Sequence, residues 1–253
     1  MKERSTDVVE MLRFVYGLLD IQGASSILDI GCGDGYDLFQ IARLASPSCR
    51  FWGIDASSKA IQVATSEANG DPRFIFTCHD ASQRLPFGNG QFDIIFSKNT
   101  LECLSKKSAL IDEAHRVLRG EGQVVFAHFD WDSQVISGKN KPLIRKIVHA
   151  FADWKQDWMH DCDAWMGRRL WGEFNGSGLF KGELHTYVLT NTDFCPPYYG
   201  YERIKDFSAL VEKGFVTEDE IKEFYDDIQE QSTEGKYFYS ITLYIYVGRK
   251  LAV

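Results

Sequence analysis

Short apolar runs alternate with amphipathic segments along the first half of the chain. Five runs have the length and the β-branched or aromatic content of buried strands, and they cover residues 26–30, 50–55, 74–78, 92–96 and 122–127. The segments between them carry apolar residues at helical spacing, at residues 36–44, 57–68 and 108–118. This alternation predicts a parallel sheet covered by helices on both faces, and such sheets bind ligands beyond the carboxyl ends of their strands.

The pattern changes on either side of this core. Apolar residues between Val8 and Leu19 recur at helical spacing and predict a leading helix that ends near Gly23. Five of the six tryptophans fall within residues 131–175. This segment is a long connection, and long connections often cover a binding site.

The second half predicts further elements of both kinds. They are helices around 141–160, 163–174, 204–212 and 218–231, and strands at 184–190 and 237–247. We therefore expect one domain over 1–253. Its parts are an N-terminal helix at 1–23, a ligand-binding core at 24–130, a helical cover at 131–180 and a C-terminal completion of the sheet at 181–253.

The most specific local feature is the turn after the first strand, where residues 27–35 read Ile-Leu-Asp-Ile-Gly-Cys-Gly-Asp-Gly. Gly31, Gly33 and Gly35 allow a sharp turn with no Cβ in the way, so that a ligand can lie against the backbone. The turn therefore predicts a nucleotide-type ligand at the end of this strand.

The residues around the turn distinguish between nucleotide ligands. In the dinucleotide fingerprint G-x-G-x-x-G a third glycine allows close helix packing, but Tyr36 stands at that place. Asp29 before the turn and Asp34 within it would repel phosphates and suit a ligand that carries an ammonium group. S-adenosylmethionine is such a ligand.

Composition excludes several other classes of protein. The net charge is −8 and the carboxylates are spread along the chain, which disfavours nucleic acid as a partner. No apolar run approaches the roughly 20 residues of a membrane span, and the polar start lacks the apolar core of a signal peptide. The six cysteines include no C-x-x-C pair, so we expect no metal, reduced thiols and a cytoplasmic protein with no membrane partner.

Five segments together, in order and spacing, resemble the class I S-adenosylmethionine-dependent methyltransferases. They are residues 27–35, 52–56, 78–87, 92–104 and 115–125. The nearest likeness is to the ubiquinone/menaquinone-type and natural-product subgroup, whose substrates are small molecules. The resemblance implies an α/β, Rossmann-like fold. Its seven-stranded, mostly parallel sheet has the order 3-2-1-4-5-7-6, with an N-terminal helix and a helical cover inserted after strand 5.

The resemblance also implies how the nucleoside part of S-adenosylmethionine is bound. Asp55, which ends the second strand and is followed by Ala56, would accept hydrogen bonds from the ribose hydroxyls. Asp80 and the amide of Ala81 would contact the adenine edge. A solvated or helix-capping Asp55 and a structural turn residue at Asp80 are the alternatives.

The methionine part of the cofactor would lie over the glycine turn. The family pattern implies that Asp29 orients it through Gly31, Cys32 and Gly33. Ser97, at the end of the fourth strand, is the predicted contact to its amine. Tyr16 of the leading helix would close over the cofactor.

The sulfonium carries an activated methyl group, so the protein mainly has to align donor and acceptor and exclude water. A hydroxyl acceptor also needs a base, and His128 after the fifth strand is the candidate, with a hydrogen-bonded structural histidine as the alternative. The predicted contacts to the acceptor are Asn99, His128, Trp131, Trp158, His160 and Trp165. Cover-domain core is the other interpretation of the tryptophans, although an aromatic cover would suit a flat or cationic substrate.

The predicted function is O- or N-methylation of a small molecule by direct transfer, giving S-adenosylhomocysteine, in a monomer or homodimer. Methylation of RNA or protein is one alternative, although residues 97–102 lack the Asn/Asp-Pro-Pro-Tyr/Phe sequence of base-methylating enzymes. A family member that binds the cofactor without transfer, and a nicotinamide-dependent oxidoreductase, are the others. The acceptor stays open at this point.

Overall fold

The computed structural model describes residues 4–252, and within them a seven-stranded sheet has the order β3-β2-β1-β4-β5-β7-β6. The strands are β1 Ser26–Ile30, β2 Arg50–Asp55, β3 Phe74–Cys78, β4 Phe92–Lys98, β5 Leu118–Ile136, β6 Phe180–Asn191 and β7 Tyr239–Lys250. Strands β1 to β5 are parallel, and β7 is antiparallel to both of its neighbours. The predicted fold class and strand order are confirmed.

Helices cover both faces of the sheet. They are α1 Thr6–Gly17, α2 Tyr36–Ala42, α3 Ser58–Glu67, α4 Lys107–Val117, α5 Lys141–Ala152, α6 Met166–Ser177, α7 Tyr199–Asp206, α8 Ala209–Glu212 and α9 Glu218–Thr233. Between residues 4 and 252, no helix has both the length and the apolar character needed to cross a membrane.

The central strands are buried on both faces because successive side chains of a strand point to opposite sides. Ile27 and Ile94 belong to one apolar cluster, which includes residues of α1, α2, α5, α7 and α9. Leu28 and Ile95 belong to the other, which includes residues of α4 and α6. The continuous apolar runs of the sequence reflect this two-sided burial.

Several predicted boundaries are wrong, among them those of three helices. Helix α1 ends at Gly17 and not near Gly23, and the helix predicted for 204–212 is divided into α7 and α8. The helix predicted around 141–160 ends at Ala152. The following segment, 153–165, is largely irregular because tertiary hydrogen bonds hold it: the amides of His160 and Asp161 donate to the Cys103 carbonyl.

Strand β5 is longer than the predicted 122–127 because it pairs with β7 far beyond the parallel part of the sheet. The pairing continues to Ile136, with a shift of register between Asp130 and Val135. The extension carries Trp131 past the end of β4, toward the irregular segment 153–165, whose Ala164 carbonyl accepts the Trp131 amide at 3.0 Å. We call residues 153–165 the cover loop.

Candidate functional site

A cavity of about 690 Å³, here called the first cavity, lies beyond the carboxyl ends of β1, β2, β3 and β4. Its walls come from each strand end and from the cover loop: Gly31, Ile54, Asp55, Ala56, Ser57, His79, Asp80, Ala81, Lys98, Asn99, Thr100, Cys103, Leu104, Trp158 and His160. The volume is in the range of small-molecule and cofactor sites. The cavity therefore stands where a parallel sheet is expected to bind its ligand.

Of the glycine turn, Gly31 lines the first cavity, and the shape of the turn requires glycine at this residue. Gly31 has φ +78°, and a Cβ placed there would lie 2.0 Å from Thr100 Oγ1. Thr100 is fixed in turn, since its hydroxyl donates to the Ile30 carbonyl at 3.1 Å. Any side chain at residue 31 would displace this wall of the cavity.

Asp55 holds the glycine turn and lines the cavity at the same time. One carboxylate oxygen accepts the Gly33 amide at 2.9 Å, and the other accepts the Ser57 amide at 2.8 Å. A carboxylate oxygen has two acceptor positions, so both oxygens keep capacity for a ligand. The structure thus brings Asp55 and Ala56 to the predicted place beside the turn.

Asp80 lies at the other end of the first cavity, together with Ala81. Its carboxylate accepts the Ser82 amide at 2.8 Å, and its second oxygen lies 3.1 Å from His160 Nε2. Burial by itself raises the pKa of Asp80, but the bonds with Ser82 and His160 outweigh it, and the pKa is lowered. Asp80 is therefore the anionic group at this end of the cavity.

His160 and Trp158 reach the first cavity from the cover loop. Both were predicted as contacts to the acceptor, and the structure places both on the first cavity, with His160 beside Asp80. Trp158 is 67% exposed, so its ring is available to a ligand. The sequence pattern does not reveal the position of the cover loop, because backbone hydrogen bonds to residues 102 and 103 hold it there.

Lys98 is a cavity residue that the sequence interpretation missed. Its Nζ lies 2.7 Å from Asp37 Oδ2 and 3.0 Å from Asp37 Oδ1. Tyr16 donates its hydroxyl to the same carboxylate at 2.5 Å, and burial together with the nearby Asp37 raises the pKa of Tyr16. Tyr16 therefore fixes Asp37 beneath the site and lines neither this cavity nor the second one described below. The sequence signal for Lys98 as a site residue was a charged side chain at the end of the apolar strand β4.

Two further predicted cofactor contacts lie under the cavity wall. Asp29 is buried in β1, and its Oδ2 has no hydrogen-bond partner in the described part of the chain. Burial raises the pKa of Asp29 well above its usual range, Asp37 and Asp55 raise it further, and Lys98 opposes them. Ser97 is also buried, and its hydroxyl donates to the Ile30 carbonyl at 2.8 Å.

The charged groups on the cavity differ from those expected from the sequence. Asp29 is buried, and Asp34 lies 3.8 Å from Arg4, and neither lines the first cavity. Cys32 is buried in the turn, and burial raises the pKa of its thiol. The charged side chains on this cavity are Asp55, Asp80 and Lys98, with His160 beside them.

A second cavity, of about 380 Å³, shares Lys98 and Asn99 with the first. Its remaining walls come from the start of α1, from β5 and from α7 and the segment before it: Arg4, Ser5, Val8, Met11, Leu12, Phe129, Trp131, Pro197, Tyr199, Glu202 and Arg203. Asn99 has φ +54°, and its Oδ1 accepts the Phe129 amide at 3.1 Å. Non-glycine residues held at positive φ cluster at functional sites, and this one stands between two cavities.

Trp131 and Trp165, both predicted on the acceptor side, have different positions. Trp131 lines the second cavity, and its Nε1 donates to Glu102 Oε2 at 2.8 Å. Trp165 lines neither cavity. It is 43% exposed, donates to Asp132 Oδ2 at 2.8 Å and lies under the guanidinium groups of Arg168 and Arg169. Its contacts are those of a surface residue.

His128, the predicted base, is fully buried in β5. Its Nε2 accepts the Leu101 amide at 3.3 Å. Its Nδ1 lies 3.8 Å from Glu102 Oε2 and has no hydrogen-bond partner within residues 4–252. His128 lines neither cavity, so this geometry corresponds to the structural alternative.

Comparison with known proteins identifies the family. The family model described as a methyltransferase domain matches residues 21–193. The chain is 28% identical over 132 residues to 27-O-demethylrifamycin SV methyltransferase of Amycolatopsis mediterranei, covering 51% of this chain and 46% of that protein. It is 24% identical over 183 residues to demethylmenaquinone methyltransferase of Thermotoga maritima, covering 71% and 68%.

Solved structures share the fold over almost the whole chain. A candidate methyltransferase from Bacillus halodurans superposes with a TM-score of 0.64 at 19% identity, covering 96% of this chain and all of the other. The [4+2]-cyclase SpnF superposes with a TM-score of 0.58 at 17% identity, covering 96% and 81%. In the first relatives matched by sequence, the chain spans less than half of the other protein's length.

Proposed function

This chain belongs to the class I S-adenosylmethionine-dependent methyltransferases, and from this premise we propose that it transfers a methyl group to oxygen or nitrogen of a small molecule, giving S-adenosylhomocysteine. The observation that carries the proposal is the pair of cavities that meet at Lys98 and Asn99. A methyl donor in the first and an acceptor in the second would face each other across these two residues.

The residues of the first cavity fit S-adenosylmethionine from end to end. Asp55 keeps acceptor positions for the ribose hydroxyls, and Asp80 with the Ala81 amide stands at the adenine end, covered by Trp158 and His160. Gly31 lines the cavity where the methionine part would lie, and Thr100 occupies the place that a Cβ would take there. We propose that residues 24–130 bind the cofactor and residues 131–180 cover the site.

Asp29 was predicted to orient the methionine part of the cofactor, but Lys98 lines the first cavity and Asp29 does not. The Lys98 ammonium is held by Asp37, and Lys98 lines both cavities. We propose that Lys98 binds the carboxylate of the methionine part, whereas buried Asp29 and Ser97 shape the backbone beneath it. Tyr16 contributes by holding Asp37 in place.

When bound, S-adenosylmethionine supplies an activated methyl group, and the protein has to hold donor and acceptor in line and exclude water. Positioning of this kind is worth roughly 7–11 kcal/mol. Asn99, fixed through Phe129, and Trp131, fixed through Glu102, give the acceptor side rigid walls. Because His128 lines neither cavity, we propose that it supports the Leu101 backbone and that an amine acceptor reacts in its neutral form.

Cofactor affinity tests the assignment directly. In Asp55→Ala we expect the dissociation constant of S-adenosylmethionine, measured by calorimetry, to rise at least about tenfold, since hydrogen bonds to a charged group are lost. Asp71→Ala is the matched control, because Asp71 pairs with Arg73 outside the first cavity. An unchanged dissociation constant in folded Asp55→Ala would count heavily against the proposal.

A member that binds the cofactor without transferring methyl is the second candidate, since the name of the superposed SpnF is that of a [4+2]-cyclase. Formation of S-adenosylhomocysteine together with a methylated product separates the two. The names of the rifamycin and demethylmenaquinone enzymes favour a small-molecule acceptor over RNA or protein.

All six cysteines are free thiols, which suits the proposed cytoplasmic location.

A further inference from the structure

Arg203 of α7 is a cation built into the acceptor side of the site. We propose that it binds an anionic group of the acceptor, a carboxylate, in the second cavity; this rests on the proposed function and specifies its substrate class. Arg203 lines the second cavity and also a third one of about 130 Å³ behind Trp131.

Three aromatic rings hold the Arg203 guanidinium in place. Its central carbon lies 5.3 Å from the ring centroid of Trp131, 5.2 Å from that of Tyr199 and 5.5 Å from that of Phe151. Trp131 is itself fixed by its bond to Glu102. The planar donor group is therefore oriented before any ligand arrives, which lowers the entropy lost on binding.

The hydrogen bonds of Arg203 are incomplete within the described part of the chain. Its Nε is buried and has no hydrogen-bond partner. Its Nη1 lies 3.0 Å from Asp206 Oδ2, one turn further along α7, but the Asp206 side chain is 57% exposed, so that ion pair is weak. A buried donor without a partner is costly, and a carboxylate would accept two parallel bonds from a guanidinium.

The charges around the second cavity favour an anion over the cationic acceptor predicted from the tryptophans. Within residues 4–252, Lys98, Arg4 and Arg203 line it, and Glu202 is the one carboxylate on its walls. The carboxylates that pair with these three cations, Asp37, Asp34 and Asp206, do not line it. Glu202 is exposed. The aromatic part of that prediction fits the walls, since Phe129, Trp131 and Tyr199 are all present. The acceptor we infer has an apolar or aromatic body and a carboxylate that points at Arg203.

Because of the position of Arg203, the carboxylate of the acceptor would determine which molecules bind in the second cavity. The second cavity reaches from Arg203 to Asn99, where it meets the first cavity. An acceptor anchored by its carboxylate at Arg203 would thus present its other end toward the methyl donor. Neutral molecules of the same shape would leave the buried Nε of Arg203 without an anionic partner, and they are rejected for that reason.

Matched pairs of small molecules test this inference. The probes are 4-hydroxybenzoate, 2-aminobenzoate and 3-(4-hydroxyphenyl)propanoate, each compared with its primary amide, on protein saturated with S-adenosylhomocysteine. We expect calorimetry and thermal shift to detect at least one acid at millimolar concentration and to find its amide at least about tenfold weaker.

Two variants assign the effect to the guanidinium. Arg203→Met should weaken the acid at least about tenfold, and Arg203→Lys should recover only part of its affinity, since an ammonium lacks the planar fork. Lys205→Met on the same helix is the control, because Lys205 lies over Tyr201 and lines neither cavity. All variants should keep the affinity for S-adenosylhomocysteine, which also shows that they fold.

The outcomes are distinct. Equal binding of acids and amides, no binding of any acid, or unchanged acid binding in Arg203→Met would each overturn the role of Arg203. Failure of the wild-type protein to bind S-adenosylhomocysteine would instead overturn the proposed function, and the acid and amide comparison on the free protein would still decide what Arg203 binds.

Discussion

At the scale of single residues, the charged groups of the site separate into those that face a cavity and those that lie beneath one. Lys98, Asp55 and Asp80 face the first cavity, and Arg203 faces the second. Asp29 and Asp37 are buried and line neither cavity. This division produces different expectations for substitutions that look alike in the sequence.

Lys98→Met should weaken S-adenosylhomocysteine about tenfold, because the carboxylate of the methionine part loses a charged donor. Binding of 5′-methylthioadenosine, which lacks the amino-acid part, should not change. Calorimetry with both ligands measures the difference, and Lys59→Met is the control, since Lys59 is exposed and lines no wall of the first cavity. Equal weakening of both ligands would show that Lys98 acts only through the fold.

Asp29→Asn should raise stability at neutral pH. The pKa of Asp29 is raised in the folded state, so above the ordinary value of about 3.9 the unfolded chain loses its proton first. The folded state then binds more protons, and the free energy of unfolding falls as pH rises from about 4 toward the folded pKa.

The asparagine variant lacks this loss. We expect its melting temperature to exceed that of the wild type by several degrees at pH 7 and by less at pH 4, at roughly 2–4 °C for each kcal/mol. Calorimetry across this pH range measures it. Parallel curves for the two proteins would mean that Asp29 ionises normally.

At the scale of elements, the cover loop is the part of the fold that connects the first cavity with the third. Residue 158 lines the first and the third cavity, and residue 160 reaches Asp80. The loop is attached by backbone bonds to residues 102 and 103 and by Lys107, whose Nζ lies 3.2 Å from Asp161 Oδ2 and 3.4 Å from Asp163 Oδ2.

Lys107→Met should loosen this loop, because two carboxylates lose a largely buried counter-ion. We expect faster hydrogen exchange in residues 153–165 and a rise of about threefold to tenfold in the dissociation constant of S-adenosylhomocysteine. Lys106→Met is the control, since Lys106 is exposed on the same turn. Unchanged exchange in the loop would show that the backbone bonds alone hold it.

The elements also show which features of the fold were readable in the chain. Strands β1, β2 and β3 have the predicted bounds because each is an apolar run that ends in a turn. The error in α5 arose because residues 153–165 carry apolar residues near helical spacing, while their amides bond to another element. Periodicity records local preference, and such bonds come from residues far away in the sequence.

At the scale of the whole molecule, the two cavities lie side by side and meet at the carboxyl end of β4. Residues of α1 form one wall of the second cavity. The second cavity thus combines Arg4, near the start of the sequence, with Arg203 of α7. A ligand that joins these parts should stabilise the entire domain, because binding to the folded state alone adds to its stability.

S-adenosylhomocysteine at about 100 times its dissociation constant should add about 2.7 kcal/mol and raise the melting temperature by roughly 5–10 °C. NAD should cause no shift, because Tyr36 replaces the third glycine of the dinucleotide pattern. A thermal-shift assay measures both, with Asp55→Ala as the control, whose response at the same ligand concentration should fall to about half or less. Stabilisation by NAD and not by S-adenosylhomocysteine would reverse the cofactor assignment.

The sequence by itself determined the fold class, the strand order implied by the family resemblance, and the strand ends that carry Gly31, Asp55 and Asp80. These features are local: an apolar run, a turn residue and a fixed spacing specify them. Only the tertiary structure decided that Lys98 faces the first cavity, that Asp29 and His128 are buried, and that Arg203 stands opposite Trp131. Burial and charge pairing depend on which distant segments meet, and residues 131 and 203 are brought together by packing, which no periodicity in the chain records.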